Sequence, residues 1–358
     1  MQQLHWFLGS NTPKGFVGYV DTVYDSSWRV WLIKGGPGCG KSGLMRRVAD
    51  NLPGKWELVH CSSDPRSLDA VFDRDQKVLL ADATAPHAIE PRWPGCCETL
   101  IDLSAGFCIP LLRQQAKDIT ALKTACACQH RQAQALLGAA RQLCRAQQFA
   151  LPEVTANAAR QLALQYLDFL PDSPCHPSRQ ATEHRRGLTA LTPEGILFFA
   201  DTVRSLAYRI YLLQDEAGLG AQAVMGYLYQ ILKEQPIEII TCRCSLFSNV
   251  TDPPEQILLP EQNIAFIHDR PCHRWQPLTS DRVQVIPVST IFTSSSALQQ
   301  KTAYPYSHLQ RSWLQAATNC MRQAKQLHEE LEQYYIHAMD FSFVDAAFEK
   351  VARDLTDH

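Results

Sequence analysis

The chain repeats itself. At an offset of 180, TPKGFVGYVDTVYDSSWRVWLI (12–33) lies over TPEGILFFADTVRSLAYRIYLL (192–213) without a gap. Thr12, Pro13, Gly15, Asp21, Thr22, Val23, Arg29 and Leu32 recur as Thr192, Pro193, Gly195, Asp201, Thr202, Val203, Arg209 and Leu212. Positions that differ keep their type: Trp28, Val30, Trp31 and Ile33 become Tyr208, Ile210, Tyr211 and Leu213, as in a buried strand whose volume is maintained. The same register puts GGPGCGKSGLM (35–45) on DEAGLGAQAVM (215–225). Further on, WELVHC (56–61) parallels IEIITC (237–242), and KVLLADATAPH (77–87) parallels NIAFIHDRPCH (263–273). The fold must therefore be built twice from one plan.

Each copy ends in a long helical region. In the first, Leu112, Ile119, Cys126, Ala133 and Ala140 recur every seven residues; in the second, Leu309, Trp313, Ala316, Cys320, Ala324, Leu327, Leu331, Tyr334 and Ala338 recur every three or four. A shorter helix is expected after each, near 153–168 and 343–355. These hairpins are expected to pack against the sheets or each other, with docking of a protein partner as the alternative. The polar stretch PDSPCHPSRQATEHRRG (171–187) reads as an exposed linker.

With 358 residues there is room for two domains, and a net charge of −2 without a basic block argues against nucleic acid as a partner. No long apolar run occurs, so no membrane insertion and a cytoplasmic location are expected. The thirteen cysteines include no paired CxxC and read mainly as small buried hydrophobes.

Chemistry concentrates in the first copy. WRVWLIKGGPGCGKSGLMRRV contains GxxxxGK[ST] between an apolar strand and a helix. Gly35, Gly36, Gly38, Cys39, Gly40, Lys41, Ser42 and Gly43 form the candidate nucleotide cradle. Glycines let backbone N–H groups turn toward phosphates, Lys41 would reach the β and γ phosphates, and Ser42 would coordinate Mg2+. VLLAD ends a second buried strand at Asp82, the candidate second metal residue, and Ala83 stands where many ATPases carry a water-orienting glutamate.

His60, Asp64 and His87 also follow strands and are candidates for positioning water or an acceptor; the plainer reading makes them turn and cap residues. Zinc held by His60, Cys61, Asp82 and His87 is a minor alternative. Cys39 could block the loop when oxidised, or be there for its size.

The second copy lacks this chemistry. Ala221 and Gln222 replace Lys41 and Ser42, Asp215 and Glu216 replace Gly35 and Gly36, and His268 falls on Asp82. Two carboxylates would repel a polyphosphate.

FLGSNTPKGFVGYVD, GGPGCGKS, HCSSDPRSLDAV and ADATAPHAIEPRWPG, with the repeated TPEG, resemble a group of poorly characterised bacterial ATP-binding proteins with tandem P-loop NTPase domains. The resemblance implies a P-loop NTPase fold; with the repeat and the helix periodicity, the expectation is an α/β fold of two P-loop NTPase-like domains, 1–175 and 183–358, each a parallel sheet flanked by helices and followed by a helical hairpin. The resemblance also implies ATP binding through Gly35, Gly40, Lys41, Ser42 and Asp82, and Mg2+ is the cofactor expected at Ser42 and Asp82. The leading expectation is a slow ATPase with an inactive second copy; a small-molecule or nucleotide kinase and a nucleotide-dependent switch are the alternatives. An Asp82 strand directly beside the loop strand would favour kinase-like or GTPase-like classes, and an intervening strand the ATPase class.

Overall fold

The twin TPxG turns fold alike because threonine closes them from inside. Thr12 Oγ1 donates to the Gly15 carbonyl (2.7 Å) and accepts from the Lys14 N–H (3.1 Å). Thr192 does the same with Gly195 (2.8 Å) and Glu194 (3.2 Å). Gly15 and Gly195 sit at φ of 113° and 115°, where a Cβ is strained. Each turn joins a short antiparallel hairpin, β2 (Gly9–Thr12) with β3 (Gly15–Gly18) and, in the second copy, Thr189–Thr192 with Gly195–Phe198.

The computed structural model describes residues 3–85, 88–149, 156–170, 180–214, 219–244, 252–269, 282–291 and 297–356. Around its hairpin the first copy places β1 (Leu4–Trp6), β4 (Arg29–Lys34), α1 (Lys41–Asn51), β5 (Glu57–His60), β6 (Leu68–Asp73), β7 (Val78–Asp82), β8 (Glu98–Asp102), α2 (Ile109–Gln114), α3 (Ala116–Phe149) and α4 (Ala156–Leu164). The second repeats the order with β9 (Thr182–Arg186), β10 (Thr189–Thr192), β11 (Gly195–Phe198), α5 (Ala200–Leu206), β12 (Arg209–Gln214), α6 (Leu219–Lys233), β13 (Glu238–Cys242), β14 (Gln256–Leu259), β15 (Ile264–Asp269), β16 (Val283–Pro287), α7 (Ala297–His337) and α8 (Ser342–Thr356).

The two six-stranded sheets have the same order, β1-β5-β6-β7-β4-β8 and β9-β13-β14-β15-β12-β16. The expectation of parallel sheets needs correction: β6 and β14 run antiparallel to both of their neighbours. The cause is connection length. Only 74–77 and 260–263 separate these strands from the next, whereas a parallel crossover needs about a dozen residues or more. Lys77 and Asn263, equivalent positions in the two short turns, both take a left-handed φ, 54° and 56°.

In β4, Val30 and Leu32 face one hydrophobic cluster while Trp31 and Ile33 face another, so the strand is buried on both sides and reads as a continuous apolar run. The first cluster is shared: Val30, Leu32, Leu79 and Phe72 pack in one core with Ile210, Leu212, Ile240 and Leu258 of the second copy. Helices therefore cover the outer face of each sheet, and among the described residues the short α5 is the one α-helix to enter the shared core, through Val203.

Those outer layers are exchanged. Ala347, Phe348 and Val351 of α8 pack with Leu44, Met45 and Val48 of α1, while Ala159 and Ala163 of α4 pack with Val224, Met225 and Leu228 of α6. The second helix of each expected hairpin thus completes the other copy's core. The long helices pair with each other: Ala133, Leu137 and Ala140 of α3 share a cluster with Leu314, Ala317 and Met321 of α7.

Two further corrections follow from packing. Leu309 and Trp313, expected on the buried stripe of α7, are exposed, whereas Ala324, Leu331 and Ala338 are buried as expected; in the first half of the helix Leu314, Ala317 and Met321 form the stripe, set by the facing helix α3. Of the expected linker, 171–179 lies outside the described residues, but Thr182–Arg186 is β9, parallel to β13 at the sheet edge. Its polar composition hid it, and Arg186 is buried with its guanidinium over the Phe72 ring. No helix among the described residues is long and apolar enough to cross a membrane.

Candidate functional site

Strand β4 delivers the glycine loop to the carboxyl-terminal edge of its sheet, between β7 and β8. Gly38 and Gly40 adopt φ of 66° and 91°, and Gly40 precedes α1 with no side-chain cap and no acidic residue in the first turn. An uncapped helix start presents free N–H groups and a positive dipole end. Cys39 is buried beneath the loop, its Sγ accepting from Lys41 Nζ (3.9 Å); a Cβ on Gly35 would lie 2.4 Å from that sulfur, which explains the glycine there. Burial raises the Cys39 thiol pKa, so the residue serves packing better than oxidation chemistry.

Lys41 folds back over the loop, donating to the carbonyls of Gly35 (2.9 Å) and Gly36 (2.8 Å), with its Nζ 3.6 Å from Asp82 Oδ2. The strand register that places Asp82 beside Ile33 makes this pairing possible. Ser42 Oγ accepts from the Leu68 N–H (2.9 Å), fixing the start of β6 to the helix. Thr84, one of the polar residues that follow the Asp82 strand, ties that strand to the loop. Its backbone N–H donates to Asp82 Oδ1 (2.8 Å), its hydroxyl donates to the Gly35 carbonyl (3.1 Å), and the Gly35 N–H approaches the same hydroxyl oxygen (3.2 Å). Ala83 between them is fully buried.

Strand β7 lies directly against β4, with no strand between them. This is the arrangement expected for the kinase-like or GTPase-like alternatives.

The loop's other wall comes from the second copy. A side chain on Gly36 would meet Tyr335 at 3.0 Å, one on Gly38 would meet Ile336 at 2.8 Å, and one on Gly40 would meet Val344 at 2.9 Å. The corner between α7 and α8 is anchored beside β8: Cys108 N–H donates to the Ala338 carbonyl (2.7 Å) and Asp340 N–H to the Gly106 carbonyl (2.9 Å). These residues lie some 300 positions from the loop, and no local sequence pattern connects them to it.

The other candidates are drawn elsewhere. His60 faces the seam between copies, with its Nε2 2.8 Å from His5 Nδ1 and its ring 5.0 Å from that of Phe199. Its Nδ1 lies 2.6 Å from the Pro65 carbonyl, which requires a proton on Nδ1 and leaves Nε2 to accept from His5. Burial lowers the His60 pKa to about 4, which keeps the ring neutral. Asp64 accepts from Lys325 of α7 (2.9 Å) and from the Arg66 N–H (3.3 Å), fastening the helical arm to the first copy. His87 lies outside the described residues. Among the described residues no group of three or more His, Cys, Asp or Glu side chains could hold a metal; His87, one of the four zinc candidates, lies outside them.

In the second copy, 215–218 lies outside the described residues. Ala221, in the place of Lys41, is fully buried, and His268 takes Asp82's register position opposite Leu213 and is buried too. Arg243 lies over Tyr229 of its own copy.

Compared with protein families, characterised proteins and solved structures, the chain matches none.

Proposed function

We propose that the chain binds ATP at a single Mg2+-dependent site in its first copy and hydrolyses it slowly, with the second copy as structural partner. The observation that carries this reading is the junction of Lys41, Asp82 and an uncapped helix start at one strand edge, with left-handed glycines at 38 and 40. These residues suit a polyphosphate. The loop N–H groups and Lys41 would hold its oxygens in place of the Gly35 and Gly36 carbonyls, and Ser42 and Asp82 would hold Mg2+. Bound there, Mg2+ supplies neutralising charge on the phosphates. In hydrolysis a water oxygen bonds to the γ-phosphorus as the bond to the β–γ bridging oxygen breaks, giving ADP and phosphate. Buried Ala83 contributes no group to orient that water, which supports slow turnover.

The direct β4–β7 pairing favours a second reading, transfer to an acceptor or a nucleotide-dependent switch, in which hydrolysis is incidental. Thermal stabilisation by Mg-ATP tests the binding site. Lys41→Ala is expected to abolish it and Gln222→Ala to leave it intact; equal loss in both variants would contradict a single site. Radiolabelled ATP with a cell extract separates the readings by whether label goes to free phosphate or to a metabolite.

A further inference from the structure

We infer that the nucleotide site is composite, and that the base of the bound nucleoside triphosphate stacks on Phe341, contributed by the second copy. The inference rests on the single-site reading above and extends it from the phosphates to the base.

The loop has two unlike sides. On one lie β7, Asp82 and Thr84, and the β6 backbone held by Ser42. That is the side for metal and γ-phosphate. On the other side lie β8 and residues 103–108, to which the α7–α8 corner is fastened through Cys108 and Asp340. A triphosphate whose γ end points to Asp82 must send its ribose and base the opposite way, toward this corner.

The corner is shaped to receive an aromatic group. Phe341 lies beside Gly40, its ring 3.6 Å from where a Cβ on that glycine would be, yet 44% of the residue is exposed. One side of the ring is thus against the loop while the residue remains open to solvent. The corner is tied at several points. Asp340 Oδ1 accepts from the Ser342 N–H (3.0 Å), and α8 is clamped along α1 by the Arg47–Asp345 pair (2.6 Å) and by Arg47 over the Phe348 ring. Space for a ligand exists nearby: Gly43, in the first turn of α1, is exposed and a Cβ there would meet nothing within 4 Å. A planar base leaving the helix start would thus meet open space bordered by one aromatic ring. Stacking of this kind holds any base by its π-face. It would also account for a site that binds a nucleotide without an NKxD-type motif for reading guanine.

Calorimetric titration of the full chain with Mg-ATP and with Mg-tripolyphosphate tests the assignment, using wild type, Phe341→Ala, Phe341→Trp and, as a control, Phe343→Ala. Stacking of a base on an aromatic ring corresponds to a loss of roughly tenfold or more in affinity on truncation. Phe341→Ala is expected to lose that factor for ATP and to bind tripolyphosphate as wild type does. Phe341→Trp is expected to retain ATP affinity, with its fluorescence changed by ATP but not by tripolyphosphate. Unchanged ATP affinity in Phe341→Ala, or equal losses for both ligands, would overturn the stacking role. If wild type binds neither ligand, the underlying single-site reading fails instead.

Discussion

Phe7 and Gly187 occupy the same position in the two copies and hydrogen-bond to each other, the Phe7 N–H donating to the Gly187 carbonyl (2.7 Å). The two copies therefore meet at this pair. Only one of the two has a side chain, because a Cβ on Gly187 would come within 2.8 Å of the Phe7 carbonyl oxygen. Gly187→Ala should destabilise the chain by about 1–3 kcal/mol, as overpacking against backbone does. Chemical denaturation measures it, and an unchanged midpoint would mean that the seam yields.

A second pair of equivalents meets at one cation. Arg74 donates to Glu57 (2.6 Å) in its own copy and to Glu238 (2.5 Å) in the other, while Trp6 Nε1 donates to the second oxygen of Glu57 (2.6 Å). Arg74→Ala leaves buried Glu57 without its cation. Removing one partner of a buried pair costs about 3–5 kcal/mol, with the lower end expected because the Arg74 side chain keeps 26% exposure. Adding Glu57→Gln should recover part of the loss. A double-mutant cycle showing plain additivity would argue against coupling.

The exchanged helix gives a test of location. Phe348→Ala, far along the chain from the first copy, should cost about 3–5 kcal/mol, and the loss of hydrogen-exchange protection should fall on α1 and β4. Increased exchange confined to α6 and β12 would place α8 on the wrong copy.

Acidification should loosen the seam. The His60 pKa is lowered to about 4 and that of His184 is also lowered, burial being the larger cause for each. A histidine with a folded pKa below its unfolded value of about 6.5 favours the fold while neutral. That contribution is complete above pH 6.5 and fades as pH falls toward 4. A tenfold change in a protonation equilibrium corresponds to about 1.4 kcal/mol, so the unfolding midpoint should drop several degrees between pH 7 and pH 4.5. His60→Gln should show a shallower fall; an identical slope would remove His60 from the account.

Asp82→Asn separates charge from shape. It weakens the 3.6 Å Lys41 pairing while keeping the Thr84 contact to Oδ1. Both side chains are only 13% and 14% exposed, and removing one charge of a buried pair costs about 3–5 kcal/mol of fold stability, with the lower end expected because Lys41 keeps the Gly35 and Gly36 carbonyls. If Asp82 helps to hold Mg2+, the added stabilisation that Mg2+ gives to ATP binding should disappear.

Much of the plan was legible in the residues. The 180-residue repeat, the TPxG turns, the apolar strand ending at the glycine loop and the match of His268 to Asp82 all depend on local rules that keep their form wherever the copy is placed. Glycine conformations and strand burial are set within a few neighbours, so sequence exposes them. The antiparallel β6 and β14 left a trace as well, in the shortness of 74–77 and 260–263.

Partner choice was decided elsewhere. An amphipathic helix specifies that its apolar stripe must be covered but not which of two similar sheets covers it, and that is why the exchange of α4 and α8 could not be read from Ala163 or Phe348. The same ambiguity hid Asp64's pairing with Lys325 and His60's with His5, since polar side chains reveal their partners only when packing brings distant segments together. The sequence determined two copies of one sheet and one intact glycine loop. Tertiary structure decided that the second copy would wall that loop, because the inner faces of both sheets had to share one apolar core.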